Sequence, residues 1–164
     1  MKTDLYKDYF DTPLGMMEIT ANDEAVTSIF FVDQFANQLT RPLAKPQLNK
    51  LTQLAKQQLL EYYTGERQEF DLPLSAKGTK FQKSVWAALS KVNYAATCCY
   101  ADIAESINKP KAVRAVGAAN GKNPLTIVVP CHRVIGRDGS LTGYASGLKY
   151  KAWLLDHEAK HQSG

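Results

Sequence analysis

The chain has 164 residues, 45% of them hydrophobic, enough for one compact unit or two small ones with a real core. Its first residues, "MKTDLYKDYF", carry acids and lack the apolar core of a secretory signal, and no stretch is apolar for long enough to span a membrane, so a cytoplasmic protein is expected. The net charge of +4 is unevenly divided: residues 1–76 hold seven Lys/Arg against eleven Asp/Glu, whereas residues 77–164 hold thirteen against five, a basic half suited to a polyanion such as nucleic acid.

In chain order, "YFDTPLGMMEITANDEAVTSIFFVD" sets β-favouring residues around turn signals at Pro13-Leu14-Gly15 and Asn22-Asp23, which predicts a short antiparallel meander. "PQLNKLTQLAKQQLLEYYTGE" places Leu48, Leu51, Ala55, Leu59 and Tyr62 on one helical stripe, with Gly65 as a stop. "QEFDLPL" reads as a further strand. The expected fold is therefore a small α/β domain over residues 1–75, an antiparallel sheet with a helix, followed by a mainly α domain over residues 76–164.

In the second domain Thr79 is a plausible N-cap for "KFQKSVWAALSKV", where Phe81, Val85, Leu89 and Val92 recur at helical spacing and Trp86 reads as core. "YADIAESIN" and "KAVRAVGAAN" read as two short helices separated at Lys109-Pro110, the proline opening the second and Gly121 ending it. Such a pair is expected to form a helix-turn-helix, its second helix carrying Lys111 and Arg114. The last helix, "LKYKAWLLDHEA", is expected to turn Leu148, Ala152, Leu155 and Trp153 inward. His157 and His161, four apart, read as a solvated face rather than metal ligands.

Between these helices the β-like run "TIVVP" stops at a proline and delivers Cys131 and His132 side by side. Cys98, Cys99 and Cys131 form no C-x-x-C pair and fit neither a disulfide framework nor a zinc spacing. Cys131 could be a small buried hydrophobe in a turn. A cysteine-hydrolase dyad fits poorly, because neighbouring residues on an extended segment point apart and all three histidines lie from 132 onward. A third reading makes the thiol a nucleophile linked through water to His132, which a carboxylate orients; Glu158 is available for that task.

The run "KAVRAVGAANGKNPLTIVVPCHRVIGRDGSLTGYASGLKYKAWLLDHE" closely resembles the O6-alkylguanine-DNA alkyltransferases, direct-reversal DNA repair proteins. It has R-A-V-G-x-A, then N-P, I-x-x-P-C-H-R-V, and a glycine-containing loop before W-L-L-x-x-E, and the resemblance covers about residues 78–158. It implies a single-turnover transfer of an alkyl group from O6 of guanine, and possibly O4 of thymine, to Cys131, with His132 and Glu158 as a water-linked relay. It further implies that Tyr100 hydrogen-bonds guanine N3 and that Asn123 braces the turn into the active segment. Backbone near Cys131 and Val134 would read the exocyclic amine, and the loop with Tyr144, Ala145 and Ser146 would wall the pocket. Arg114 would fill the gap left by a flipped base in the minor groove of double-stranded DNA. Ala112 and other small residues would let the helix approach, and Lys109, Lys111 and Lys122 would contact phosphates. A monomer acting without metal or cofactor is expected.

The chain also departs from the pattern. "YAATCCYADIA" has Ala95, Cys99 and Ala101 where relatives often read Y-G-x-x-x-S-Y-G, which suggests altered packing around a retained Tyr100. Ser146 stands where glycine is frequent and bears on the size of alkyl group accepted. A non-catalytic binder of alkylated DNA would lack the reactive cysteine, and a helix-turn-helix regulator would not explain P-C-H-R-V.

Overall fold

The computed structural model describes residues 5–32, 45–142, 144 and 147–162. The chain forms two compact units, Met1–Lys77 and Gly78–Gly164.

In the first unit, β1 (Tyr6–Thr12), β2 (Gly15–Ala21) and β3 (Val26–Phe31) form an antiparallel sheet in the order β1-β2-β3. Both turns follow from their residues. Gly15 takes φ 120°, a conformation costly for any residue with a Cβ. The Asn22 side-chain oxygen accepts the amides of Glu24 and Ala25, each at 2.8 Å, and so fixes the second turn.

Helix α1 (Lys50–Tyr63) begins at a capping box formed by Asn49 and Thr52, and Gly65 at φ 84° follows its C-cap, Thr64. Its buried face is Thr52, Ala55, Gln58, Leu59, Tyr62 and Tyr63, against Met17, Ile19, Ile29 and Phe31 of the sheet. Leu48, expected on that stripe, precedes the helix and is 48% exposed. "QEFDLPL" is also not a strand. Leu74 makes one parallel bridge to Val26, and Pro73, which has no N–H, contributes only its carbonyl to Val26 N at 2.8 Å.

The second unit begins with α2 (Lys80–Leu89), capped by Thr79, whose side chain accepts the Gln82 amide. Val85, Trp86 and Leu89 are buried, and Trp86 Nε1 donates to the Ala119 carbonyl at 2.9 Å. The two-residue β4 (Cys98–Cys99) leads into α3 (Tyr100–Ser106), which packs on α4 (Val113–Gly121) as the expected helix-turn-helix. Pro110 does not open α4. It lies within the preceding turn, closed by Ala112 N on Lys109 O at 2.9 Å, where a preset φ suits the second turn residue.

A 3-10 turn (Cys131–Arg133) passes into β5 (Val134–Ile135), which pairs in parallel with β4. The final helix, α5 (Leu148–His161), faces the core with Lys151, Leu154, His157 and Glu158. The sequence pattern misplaced that face: Leu148 is 48% exposed and Ala152 is exposed. Apolar spacing marks a helix's inner face only where the interior is apolar, and here three of the four inward residues are polar. His157 is accordingly buried instead of solvated, stacked on Trp153 with centroids 4.8 Å apart. No helix among the described residues is long and apolar enough to cross a membrane.

Candidate active site

The segment entering Cys131 is a sequence of tight turns, not a strand. Val128 N bonds Thr126 O at 2.9 Å around Ile127, whose φ is 73°. This is a γ-turn with positive φ, rare for any residue and strained for a β-branched one. A second three-residue turn follows around Pro130, at φ −82° and ψ 64°, with Cys131 N on Val129 O at 2.8 Å. Asn123 holds the first turn from within: its Oδ1 accepts Leu125 N at 2.9 Å and its Nδ2 donates to Val129 O at 2.8 Å. Strain of this kind persists only where surrounding bonds over-determine it, and Asn123 supplies those bonds. Proline then fixes the last φ, and the 3-10 turn presents Cys131 and His132.

Cys131 is 6% exposed. Burial pushes its thiol up to about 11, against a smaller downward pull from an Asn123 hydrogen bond and the charge of Lys151. At neutral pH the resting group is a thiol. His132 is fully buried, and burial lowers its pKa in spite of the opposing pull from Glu158, so the ring rests neutral. Its Nε2 lies 2.6 Å from Glu158 Oε2. Burial alone would raise the Glu158 pKa, but bonds from His132 and Arg133 outweigh it and hold the carboxyl well below its ordinary range. An ionised carboxylate only accepts, so the His132 proton sits on Nε2 and Nδ1 carries a bare lone pair. That Nδ1 is buried with no hydrogen-bond partner among the described residues.

Glu158 accepts two further bonds from Arg133, Nε at 2.9 Å and Nη2 at 3.0 Å, and one from the Ala95 amide at 3.1 Å. Arg133 Nη1 donates to Val92 O at 2.7 Å, and its guanidinium lies 5.6 Å from the centre of the Tyr94 ring. Ala95 has φ 63°, a backbone state suited to glycine, and its N–H reaches Glu158 from that conformation.

Arg133 and Lys151 were not singled out from the sequence, although both signals were present. Arg133 lies inside P-C-H-R-V, and Lys151 precedes Glu158 by seven residues, on the same helical face. Lys151 is fully buried and donates to the carbonyls of Val134 and Thr142. Tyr100 OH donates to the same Thr142 carbonyl at 3.0 Å, and its ring lies beside α4 at Gly117. Val134 and Tyr144 are buried; Ala145 and Ser146 lie outside the described residues.

The remaining predicted residues lie apart from this cluster, on the surface of the helix-turn-helix. Arg114, Ala115 and Ala118 are exposed on α4, while Val116, Ala119 and Asn120 face inward. Lys109 and Lys111 are exposed in the turn before the helix, Lys122 is exposed at its C-cap, and Ala112 is half-buried at its N-cap. Cys98 and Cys99 are half-buried, and burial pushes the Cys98 thiol up to about 11. Among the described residues no group of three His, Cys, Asp or Glu could hold a metal ion.

The second unit thus combines a helix-turn-helix with a buried cysteine next to an imidazole–carboxylate pair, the make-up of a nucleic-acid-binding scaffold that also holds a group of reactive residue types. Residues 5–76 match the family described as 6-O-methylguanine DNA methyltransferase, ribonuclease-like domain, and residues 80–160 match 6-O-methylguanine DNA methyltransferase, DNA binding domain. The similarity thus extends beyond residues 78–158 into the first unit. A methylated-DNA–protein-cysteine methyltransferase of Methanosarcina barkeri is 44% identical over 94% of this chain and 97% of its own length. The constitutive methylated-DNA–protein-cysteine methyltransferase of Bacillus subtilis is 46% identical over 90% of this chain and 92% of its own. The crystal structure of Mycobacterium tuberculosis OGT in complex with DNA matches with a TM-score of 0.82 at 38% identity, covering 95% of this chain and 94% of that one. The chain belongs to the 6-O-methylguanine DNA methyltransferase family.

Two stability predictions follow from Glu158 and its donors. Glu158→Gln leaves Arg133 buried without its counter-charge and should cost about 3–5 kcal/mol at neutral pH, read by chemical denaturation. Because the folded pKa of Glu158 is depressed, its contribution is fully present above the ordinary value of 4.5 and is lost as pH falls from there toward the folded pKa. The gap between wild type and Glu158→Gln should therefore narrow in acid; a gap that stays constant would contradict an ionised Glu158. In turn, Ala95→Gly should stabilise the protein by up to about 1 kcal/mol by relieving the positive φ, and a lower melting temperature would show that the Ala95 methyl group is needed for packing.

Proposed function

We propose that this protein repairs DNA directly, moving the alkyl group of O6-alkylguanine irreversibly onto its own Cys131. The observation that carries the reading is the arrangement of Cys131, His132 and Glu158: a buried thiol, a neutral imidazole with a free Nδ1 lone pair, and an ionised carboxylate holding the other ring nitrogen. Its relatives bear the name methylated-DNA–protein-cysteine methyltransferase, which states the same chemistry.

On this reading the Cys131 proton passes through a water to His132 Nδ1, and the imidazolium formed is balanced by Glu158. The thiolate attacks the alkyl carbon in line. The S–C bond forms as the C–O6 bond breaks, and the electron pair leaves with guanine, which is then protonated. The product thioether regenerates no thiol, so each molecule acts once. The Tyr100 hydroxyl exchanges the Thr142 carbonyl for guanine N3, opposing the charge that develops on the leaving ring. The carbonyl of Cys131, and that of Val134 through its second lone pair, accept from the exocyclic amine. Asn123 acts by positioning, through the strained turn that it holds.

O6 lies within the duplex stack, and Cys131 is buried, so the nucleotide must leave the stack to reach the thiol. The exposed face of α4 suits the minor groove: Arg114 enters the gap left behind, small residues permit close approach, and Lys109, Lys111 and Lys122 contact phosphates. That groove distinguishes sequences poorly, which fits repair of a lesion that arises in any sequence. The protein acts as a monomer in this scheme.

Incubation with excess O6-methylguanine duplex should add the mass of one methyl group, mapped by peptide analysis to Cys131, and Cys131→Ala should bind the duplex without reacting. Repeated turnover, or methyl on Cys98 or Cys99, would refute the assignment. Arg114→Ala should slow repair of duplex DNA at least tenfold while leaving the reaction with free O6-benzylguanine nearly unchanged, because only the duplex reaction includes unstacking, worth a few kcal/mol. Equal losses on both substrates would assign Arg114 to the fold instead.

A further inference from the structure

Lys151 is the one inward-facing charge of α5 that the relay does not use. Its side chain is fully buried, and its amine donates to Val134 O and Thr142 O, at the two ends of the segment that follows the 3-10 turn. Among the described residues no carboxylate lies within ion-pairing distance of it. Glu158, on the same helix, already accepts from His132, from Arg133 twice and from Ala95, which fills the acceptor capacity of a carboxylate. An ammonium buried without an anion is expensive, and carbonyl dipoles offset only part of that cost.

We infer that Lys151 is a positioning residue of the active site, whose ammonium clasps residues 134–142 beside Cys131 and balances the negative charge of the Cys131 thiolate. The inference rests on the reading of Cys131 as nucleophile and adds to it the source of the counter-charge. The charged and titratable groups that meet the pair, or the bonds it makes, are His132 and Arg133 on the 3-10 turn, Glu158 on α5 and Tyr100 at the start of α3. In the resting state Arg133 and ionised Glu158 cancel and His132 is neutral; the proton that leaves Cys131 makes His132 a cation only as the thiolate forms, whereas Lys151 is a standing positive charge already in place before that transfer. The two groups act on each other: Lys151 pulls the thiol pKa down against burial, and the thiolate pulls the lysine pKa up against burial. When the thiolate is consumed in the S–C bond, the cation loses that partner. The Thr142 carbonyl, shared with Tyr100, connects the clasp to the residue proposed to meet guanine N3.

The test uses the full chain carrying Cys98→Ser and Cys99→Ser, so that Cys131 is its only thiol. The rate of methyl transfer to O6-methylguanine duplex and the ultraviolet absorbance of the thiolate are followed against pH. Lys151→Met removes both charge and donors; Lys151→Gln keeps donors without charge. Each should displace the rise of rate and absorbance to higher pH, so that at a fixed pH below the midpoint the rate falls about ten- to a thousandfold and the deficit shrinks as pH rises, whereas Lys151→Arg should keep the wild-type profile. Unmoved midpoints in the neutral variants, with rates lowered evenly at every pH, would overturn the inference and leave Lys151 a clasp alone. Should neither neutral variant fold, a displaced midpoint in Lys151→Arg overturns it and an unmoved one upholds it. Absence of methyl on Cys131 in the wild-type protein would instead defeat the reading on which it rests, so the two failures are distinct.

Discussion

A single buried carboxylate organises the second unit. Glu158 draws in the ring of His132, the fork of Arg133 and the amide of Ala95, and so joins α5, the 3-10 turn and the loop after α2 at one point. Removing such a group from water is costly, and the cost is offset only if every lone pair finds a donor. Here four donors meet it. The pairing is specific as well as stabilising: any register of α5 that misses Arg133 leaves two opposite charges buried apart. The ionised state that results also fixes the tautomer of His132, so one interaction determines both the packing and the proton chemistry.

Backbone strain is concentrated around the same point. Ala95 at φ 63° turns its amide onto Glu158, and Ile127 at φ 73° sits in the γ-turn that Asn123 encloses. Neither conformation is favourable for its residue. Each is held by bonds that a relaxed backbone could not make, and together they deliver Cys131 from a short loop rather than from a strand. A turn braced in this way gives the thiol a fixed place, which on the proposed reading is what a site that admits a whole nucleobase requires.

The residues assigned to chemistry and those assigned to recognition lie on different sides of the helix-turn-helix. Val116, Ala119 and Asn120 face the interior, where the Ala119 carbonyl receives Trp86 and the Asn120 side chain approaches the Cys131 carbonyl at 3.4 Å. Arg114, Ala115 and Ala118 face outward. On the proposed reading, helix α4 touches the duplex with one face and supports the nucleophile's turn with the other. On the same reading the excess of Lys and Arg in residues 77–164 supplies the long-range attraction, while these few residues set the approach.

Much of this was determined by the sequence. Helical spacing with the Gly65 stop located α1, spacing with the Thr79 cap located α2, turn signals located the β1-β2-β3 meander, and the order of R-A-V-G-x-A, N-P, P-C-H-R-V and W-L-L-x-x-E identified the family through short-range constraints that stay close in the chain. Apolar periodicity failed where the interior is polar. It turned Leu148 and Ala152 inward, whereas the buried face of α5 carries Lys151, His157 and Glu158, because those side chains are paid for by partners up to 63 residues away in the chain. The same limit made a strand of "TIVVP" and another of "QEFDLPL". β-propensity measures how a side chain suits a pleated surface, not whether a neighbouring strand exists to pair with it. The resting states of Cys131 and His132, the role of Arg133 and the position of Lys151 were decided only by tertiary structure, since burial and the count of donors around a charge are properties of the folded chain.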